Sequence, residues 1–415
     1  MIKLFQLVIL CILFAQTIAA QDTLRIATYN SSRFDDEYGQ ERIPYFRTVV
    51  EAMNPDVLVL QELTSRQGAD IFLNDILNDK EAHVYLSAPF ESGFDMNNMV
   101  FFKSRKFSLF SNRQIKTSLR DISEYVLQPR VNKKMPQIWL YSAHLKAGND
   151  DSNESQRLAE ATILRKELDK LQSSTNFFVV GDFNFYRSTE PGFQVLVAGD
   201  GNTTGQCYDP ANQIGDWHNN KKYARYHTQS TRTTSLYGGS TGGLDDRFDF
   251  ILVSKALLEI ADFYVLEHSY QSFGNDGLHM NTNINSGINL AVPRGVAQAL
   301  YQASDHLPVV VDIVWNDPSG VAQTAEIVPE SLALRSFPNP FNGRTTINFT
   351  LNQAKHVEVS IFNVAGTLIV ELADEDMSAG LQSIPWNAEK AQSGLYIYRI
   401  KTDSQIEMGK MLLVK

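Results

Sequence analysis

Two cysteines in 415 residues leave this chain without a disulfide framework. Cys11 lies in an N-terminal segment that reads as removable, and Cys207 then stands alone, so core packing and metal must hold the fold. Positive charge is also short. Lys and Arg number 37 against 47 Asp and Glu, for a net charge of −10. A protein that grips nucleic acid by blanket neutralisation of phosphates is basic, so that mode of binding is excluded. Beyond the first twenty residues no segment has the ~20 apolar residues that a membrane-spanning helix needs.

The N-terminus reads as a secretion signal over residues 1–20. Lys3 supplies the positive region, Leu4 to Phe14 the apolar stretch, and Ile18-Ala19-Ala20 a small-residue cleavage site before Gln21. Gln6, Gln16 and Thr17 make it too short for an anchor, and Leu10 is too bulky for a lipoprotein box at Cys11. Without this segment the charge is −11. Residues 331–415 hold eight basic and eight acidic residues, so the acidic excess belongs to the earlier part. That balance suits a carboxylate-lined metal site, and equally any soluble secreted protein.

Hydrophobic content of 43% and charged content of 20% suit a soluble globular protein, and the length suits two domains with tails. The first domain is expected over 22–316. Strand-like apolar runs recur there at Leu24–Tyr29, Val57–Leu60, Met99–Phe102, Ile138–Ser142, Phe177–Val180, Phe248–Val253 and Val309–Val314. Helical spacing links Ile43, Phe46, Val50 and Met53, with a stop at Asn54-Pro55-Asp56, and also Leu158, Ala161, Leu164, Leu168 and Leu171. The stretch from Gly199 to Asp246 is long for a loop, which points to function. It carries His218, His227, Arg232 and the run Gly238 to Gly243; with no strand-to-helix turn around them, these glycines read as a flexible loop. A linker is expected over 317–330, then a small all-β sandwich over 331–415 with strands at Thr346–Phe349, Val357–Phe362, Thr367–Val370 and Leu395–Ile400.

Polar residues stand at the strand ends of the first domain. Leu24–Tyr29 runs into Asn30, Val57–Leu60 into Gln61-Glu62, Trp139–Ser142 into Ala143-His144, and Phe177–Val180 into Gly181-Asp182-Phe183-Asn184. Asp249 lies inside Arg247–Leu252, and Ser304-Asp305-His306 precedes the last strand. Side by side, such strands bring Asn, Glu, His and Asp to one sheet edge, where ligands for a hard cation collect. Phosphoryl transfer needs such a set, because a phosphodiester repels the incoming water until charge is neutralised. Glu62 with an amide or a second acid suits Mg²⁺ or Mn²⁺. Asp182 is positioned to take a proton from water, with Asn184 orienting it, and Asp249 with His306 forms a carboxylate–imidazole pair.

In their order along the chain these motifs resemble the endonuclease/exonuclease/phosphatase superfamily, from about Leu24 to Trp315. The most specific pieces are Gly181-Asp182-Phe183-Asn184 and Ser304-Asp305-His306, supported by Gln61-Glu62 and Ser142-Ala143-His144-Leu145. The resemblance implies an α/β, four-layer αββα sandwich of deoxyribonuclease I type. It implies that Asn30 and Glu62 bind the metal with Asp305 beside it. Asp182 and Asn184 then handle the water, His306 paired with Asp249 meets the scissile phosphate, and His144 is a second phosphate-facing histidine. Arg130, in Gln128-Pro129-Arg130, matches the family's phosphate-binding position, and the segment His227-Thr228-Gln229-Ser230 with Arg232 reads as substrate-binding. Asn30 lacks the nearby acid of abasic-site enzymes, since Asp35 and Asp36 come later.

Residues 334–415 resemble a type A sorting domain of type IX secretion. The matching pieces are Phe337-Pro338-Asn339-Pro340-Phe341, Val359–Gly366, Ser393-Gly394-Leu395-Tyr396 and the terminal Gly409–Lys415. The resemblance implies export to the surface or medium and contact with the secretion machinery. Three functional readings stand: an extracellular nuclease acting on nucleic acid, a sphingomyelinase-like lipid phosphodiesterase or phosphomonoesterase, and a surface binding module that has lost activity.

Overall fold

Alternation along the strands decides the layering. The computed structural model describes residues 22–34, 38–130, 135–199, 203–259, 263–315 and 334–415, except 338, 340, 352–353, 365, 379 and 403–405. The secretion signal, the linker, Asp35 and Asp36 lie outside the described residues. The first unit contains strands β1 (Asp22–Phe34), β2 (Val57–Leu63), β3 (Tyr85–Ser87), β4 (Asn97–Lys103), β5 (Phe107–Ile115), β6 (Ile122–Pro129), β7 (Ile138–His144), β8 (Asn176–Asp182), β9 (Asp249–Val253), β10 (Phe263–Val265), β11 (Gln271–Ser272) and β12 (Val309–Trp315). Its helices are α1 (Gly39–Met53), α2 (Arg66–Ile71), α3 (Asp151–Leu168), α4 (Pro191–Val197) and α5 (Arg294–Ala303).

One sheet has the order β10-β12-β1-β2-β4-β3, with β11 also on β12, and the other β5-β6-β7-β8-β9. Odd and even positions go opposite ways. Phe178 and Val180 of β8 face Ile26, Val57 and Val59 in a core between the sheets. Phe177 and Val179 turn outward onto Ala161 and Leu164 of α3 and Phe193 of α4. On the far side of the first sheet, Ala27 and Leu58 meet Phe46 of α1 and Leu300 of α5. The result is helix, sheet, sheet, helix, as the resemblance implied.

Both expected helices form. Asn54 adopts the left-handed conformation and ends α1, while α3 begins at an Asp150 cap and buries Ala161, Leu164 and Leu168. Strands β5 and β6 were not anticipated. Their run is broken by Ser, Asn, Gln and Glu, and Glu124 of β6 is buried only because Arg113 of β5 meets it at 2.7 Å.

The second unit, described by itself, is a sandwich of β13 (Arg335–Phe337), β14 (Arg344–Leu351) and β17 (Gly380–Asn387) against β15 (Lys355–Asn363), β16 (Leu368–Met377), β18 (Gly394–Thr402) and β19 (Ile406–Leu413). Ile347, Phe349, Val359, Ile361, Ile400 and Met411 fill it. Asn339 fastens its opening turn to the last strand, with its Oδ1 accepting from Leu412 N at 2.8 Å and its Nδ2 donating to Lys410 O at 2.8 Å.

Candidate active site

Strand register assembles the site. β1 and β2 are parallel and place Asn30 opposite Gln61, next to Glu62. β7 and β8 are parallel with His144 opposite Asp182, and antiparallel β9 sets Asp249 opposite Asp182. β12 starts just after Asp305-His306. The carboxyl ends of four strands and the amino ends of two thus share one edge. Gly181 is required there, because a Cβ at its φ of +132° would collide with the carbonyl oxygen of Ala143. Glu62 and Asn184 hold φ of +62° and +52°, left-handed conformations that functional sites often keep.

The side chains converge. Asn30 Nδ2 donates to Glu62 Oε1 and to Asp182 Oδ2, both at 3.0 Å. His144 Nε2 lies 3.6 Å from each of those two oxygens. His306 Nδ1 meets Asp249 Oδ2 at 2.7 Å, and its Nε2 stands 3.7 Å from Asp182 Oδ2. Asn184 N donates to Asp182 Oδ1 at 3.1 Å. Asp305 Oδ2 accepts from Ser240 N at 2.6 Å. Glu62, His144, Asp182, Asn184, Asp305 and His306 line a cavity of about 290 Å³, with Asn30 and Asp249 behind it.

Environment drives these groups apart. Burial lifts Asp182 to about 7, helped by Asp249 and Glu62 and opposed by His306 and Asn30. Glu62 is raised by burial and by Asp305. Asp305 goes down: burial pushes it up, but His306, Ser32, the Ser240 N–H and Arg232 outweigh that. The histidines diverge. His144 is pushed well below its usual range by burial and by Arg120 and His306, so its ring is neutral. For His306 burial opposes charge, yet Asp249, Asp182 and Asp305 lift it well above the usual range, so its ring is cationic.

Three buried carboxylates and the half-buried Glu62, with amides and one neutral imidazole, are a donor set for a hard divalent cation. Glu62, His144 and Asp182 each offer a ligand atom within 4.8 Å of the others, as do Asp182, Asp249 and His306. The first group fits better, because His306 Nδ1 and Asp249 Oδ2 are already engaged with each other at 2.7 Å. Asn30 as placed turns its NH₂ to the carboxylates, so ligation requires the opposite amide orientation.

Three of the expected site residues lie away from the cavity. Arg130 is exposed at the end of β6, beside Lys106 and near the start of β7, whereas His144 closes the far end of β7. Seven residues of strand, roughly 20 Å, separate the two, so Arg130 does not reach the cavity. His227 is fully buried, its ring held between the Trp217 and Leu244 carbonyls at 2.8 and 3.3 Å. Arg232 is likewise buried and donates to Tyr301 O and Leu236 O. Neither lines the cavity. In the glycine run, Gly238, Gly239 and Ser240 form one wall of the cavity.

Of the segment His227-Thr228-Gln229-Ser230 read as substrate-binding, Gln229 is the residue that lines the cavity. Sequence reasoning missed Arg120, Tyr186 and Ser32; the last two line the cavity, and Arg120 acts electrostatically on both Glu62 and His144. Only the length of the 199–246 loop signalled that more of it than its histidines faced the site.

The model of the endonuclease/exonuclease/phosphatase family matches residues 27–306, which contain most of this geometry. The chain belongs to that family. It is therefore a phosphoesterase by lineage, and enzymes of this family generally depend on a divalent metal. The model of the secretion system C-terminal sorting domain matches residues 335–415. That tail directs type IX secretion to the cell surface or beyond. No curated protein sequence matches the chain. Among solved structures it resembles a family protein from Bacteroides thetaiotaomicron (15% identity, 72% of this chain and 100% of that one, TM-score 0.47). It also resembles a truncated TDP2 from Caenorhabditis elegans (16%, 71% and 98%, TM-score 0.45) and the human nocturnin catalytic domain with bound sulfate (17%, 71% and 98%, TM-score 0.44).

Proposed function

We propose that this chain is an exported, metal-dependent phosphodiesterase that hydrolyses nucleic acid outside the cell. The observation that carries the reading is the pairing of a cationic His306, braced by Asp249, with Asp182 pushed to about 7 only 3.7 Å away. Pairs of titratable groups driven apart in this way mark acid and base assignments.

Glu62 and Asn30 would hold the cation with Asp305 beside it, and when bound it neutralises charge on the phosphate oxygens. Asp182 takes the proton of the attacking water, and Asn184 orients that water through a side-chain amide held by Leu145 O at 3.3 Å. His306 donates its Nε2–H to a non-bridging phosphate oxygen, while Asp249 holds the ring from behind. Neutral His144 offers a second hydrogen bond. Water oxygen bonds to phosphorus as the ester P–O bond breaks, and the leaving oxygen gains a proton. A cavity of about 290 Å³ admits the phosphate and its nearest groups, so a polymer would run across the opening.

The lipid reading keeps one supporting observation. Phe94, two residues before cavity residue Met96, is 84% exposed, and Ile288 is 80% exposed on the loop preceding α5. Plasmid DNA and sphingomyelin vesicles separate the two. The chain from Gln21 on, stripped with chelator and resupplied with Mg²⁺ or Mn²⁺, should cut DNA, and His306→Ala or Asp182→Asn should lose several orders of magnitude. Cleavage of vesicles but not DNA transfers the assignment to lipid. Near-normal turnover in either variant overturns the roles.

A further inference from the structure

Gln229 stands where the phosphate should arrive. The Nδ1 of His306 is committed to Asp249 at 2.7 Å, so Nε2 is the nitrogen left for substrate. Gln229 Nε2 lies 2.6 Å from that atom, and Gln229 lines the cavity. Two nitrogens so close can share one acceptor, because a single oxygen can stand at hydrogen-bond distance from both.

The backbone leaves Gln229 little freedom. Gln229 N donates to Asp246 O at 3.2 Å, and Gln229 O accepts from Asp245 N at 2.9 Å and Asp246 N at 3.1 Å. Its neighbours reach the other side: Leu307 N donates to Thr228 O at 2.8 Å, and Thr231 N to Asp305 O at 3.1 Å. Thr228 Oγ1 accepts from Asp249 N at 3.2 Å. The segment is thus wedged between the start of β9 and the Asp305-His306 turn, and carries its amide to the open face of their pair. A carboxamide suits this place. With the His306 ring charged its Nε2–H is itself a donor, so the contact at rest requires the opposite amide orientation, with Gln229 Oε1 accepting from it. The NH₂ is then a neutral donor in a site already crowded with acids.

We propose that Gln229 is a further phosphate-binding residue, whose amide holds His306 Nε2 in the free enzyme and donates to the same non-bridging oxygen as His306 in the complex. The inference rests on the reading of His306 as phosphate-facing. The bland alternative is that Gln229 only props the imidazole ring.

Inorganic phosphate binding, measured by calorimetry with Mg²⁺ present, tests it without turnover. In Gln229→Leu, checked for folding by circular dichroism, phosphate affinity should fall about tenfold or more and kcat/KM by about 10²-fold. Gln229→Glu should lose more, because its carboxylate repels phosphate and pairs with His306. Phosphate affinity within twofold of wild type in Gln229→Leu overturns the proposal, even if turnover falls, since that pattern belongs to a prop. No measurable phosphate binding by the wild type overturns it as well. Wild-type protein that binds phosphate but cuts no DNA sinks the nuclease reading, while the affinity comparison still decides Gln229.

Discussion

Arg157→Met should be among the most damaging single changes away from the cavity. Arg157 of α3 is 1% exposed, and its Nε and Nη2 meet Glu190 Oε2 at 2.9 and 2.8 Å. Its Nη1 donates to Lys146 O at 2.9 Å and Gly148 O at 2.6 Å. Glu190, also buried, accepts from Tyr186 N at 2.8 Å. One guanidinium therefore ties α3 to the loop after His144 and to the loop after Asp182. Methionine fills much of the volume but leaves Glu190 charged in the interior and strands two carbonyls. Removing one partner of a buried pair costs about 3–5 kcal/mol. At roughly 2 °C per kcal/mol for a unit of this size, the melting temperature should drop by about 6–10 °C.

A double-mutant cycle makes the reasoning refutable. Arg157→Met with Glu190→Leu removes both charges, so no carboxylate is left buried alone, and the double variant should be more stable than Arg157→Met by about 1–3 kcal/mol. Thermal and urea unfolding of the full chain, followed by tryptophan fluorescence, reads both. Loss below about 1 kcal/mol in Arg157→Met would refute the argument. So would a double variant less stable than the single one. Since Gly148 and Tyr186 line the cavity, kcat should fall in Arg157→Met even well below its melting point.

Gly181→Ala should destabilise the first unit by at least about 2 kcal/mol, because it adds a Cβ against the Ala143 carbonyl at a φ that L side chains avoid; urea unfolding checks this. Glu62→Gln should weaken Mn²⁺ binding by roughly tenfold or more, seen by titration, since it removes a carboxylate donor while keeping the Asn30 contact within reach. Cys207 is 1% exposed and burial pushes its thiol up to about 12, so at pH 8 the folded chain from Gln21 on should resist thiol reagents and react only in denaturant. Asn339→Ala should cost the sorting domain about 1–3 kcal/mol by freeing Leu412 N and Lys410 O, read as faster proteolysis of the tail.

The catalytic edge was legible because a polar residue ending an apolar strand breaks a pattern. Asn30, Glu62, His144 and Asp182 each interrupt a run whose alternation is otherwise clear, and register brings them together. Arg130 misled for a related reason. It also follows a strand, but β6 runs antiparallel to β7, so its end points away from the edge where β7 delivers His144. Direction is a property of pairing, and local sequence does not carry it. Gln229 was read only as part of the segment His227–Ser230, and nothing in Thr228-Gln229-Ser230 singles it out; its place depends on bridges to Asp246 and His306, 17 and 77 residues away.

The buried arginines explain the remaining misreading. An arginine in a loop near a phosphate site invites assignment to substrate, as Arg232 did, because the side chain is seldom buried. Here Arg42, Arg157, Arg232 and Arg247 are all 0–1% exposed. Arg42 donates to Ser31 O, Ser32 O and Ala303 O, joining the end of β1 just after Asn30 to the turn before Asp305. Arg232 grips Tyr301 O and Leu236 O beneath the Gly238–Ser240 wall, and Arg247 holds Asp209 through both terminal nitrogens, at 2.8 Å each. Irregular loops leave carbonyls that no ladder satisfies, and a guanidinium has five donors in a fixed fork to collect them. These four arginines thus stand behind the acid-crowded edge, while Arg33 and His306 line the cavity itself. Such arginines are committed to the chain's own carbonyls and carboxylates, so a loop arginine is read as a substrate contact only when it reaches the cavity, as Arg33 does and Arg232 does not.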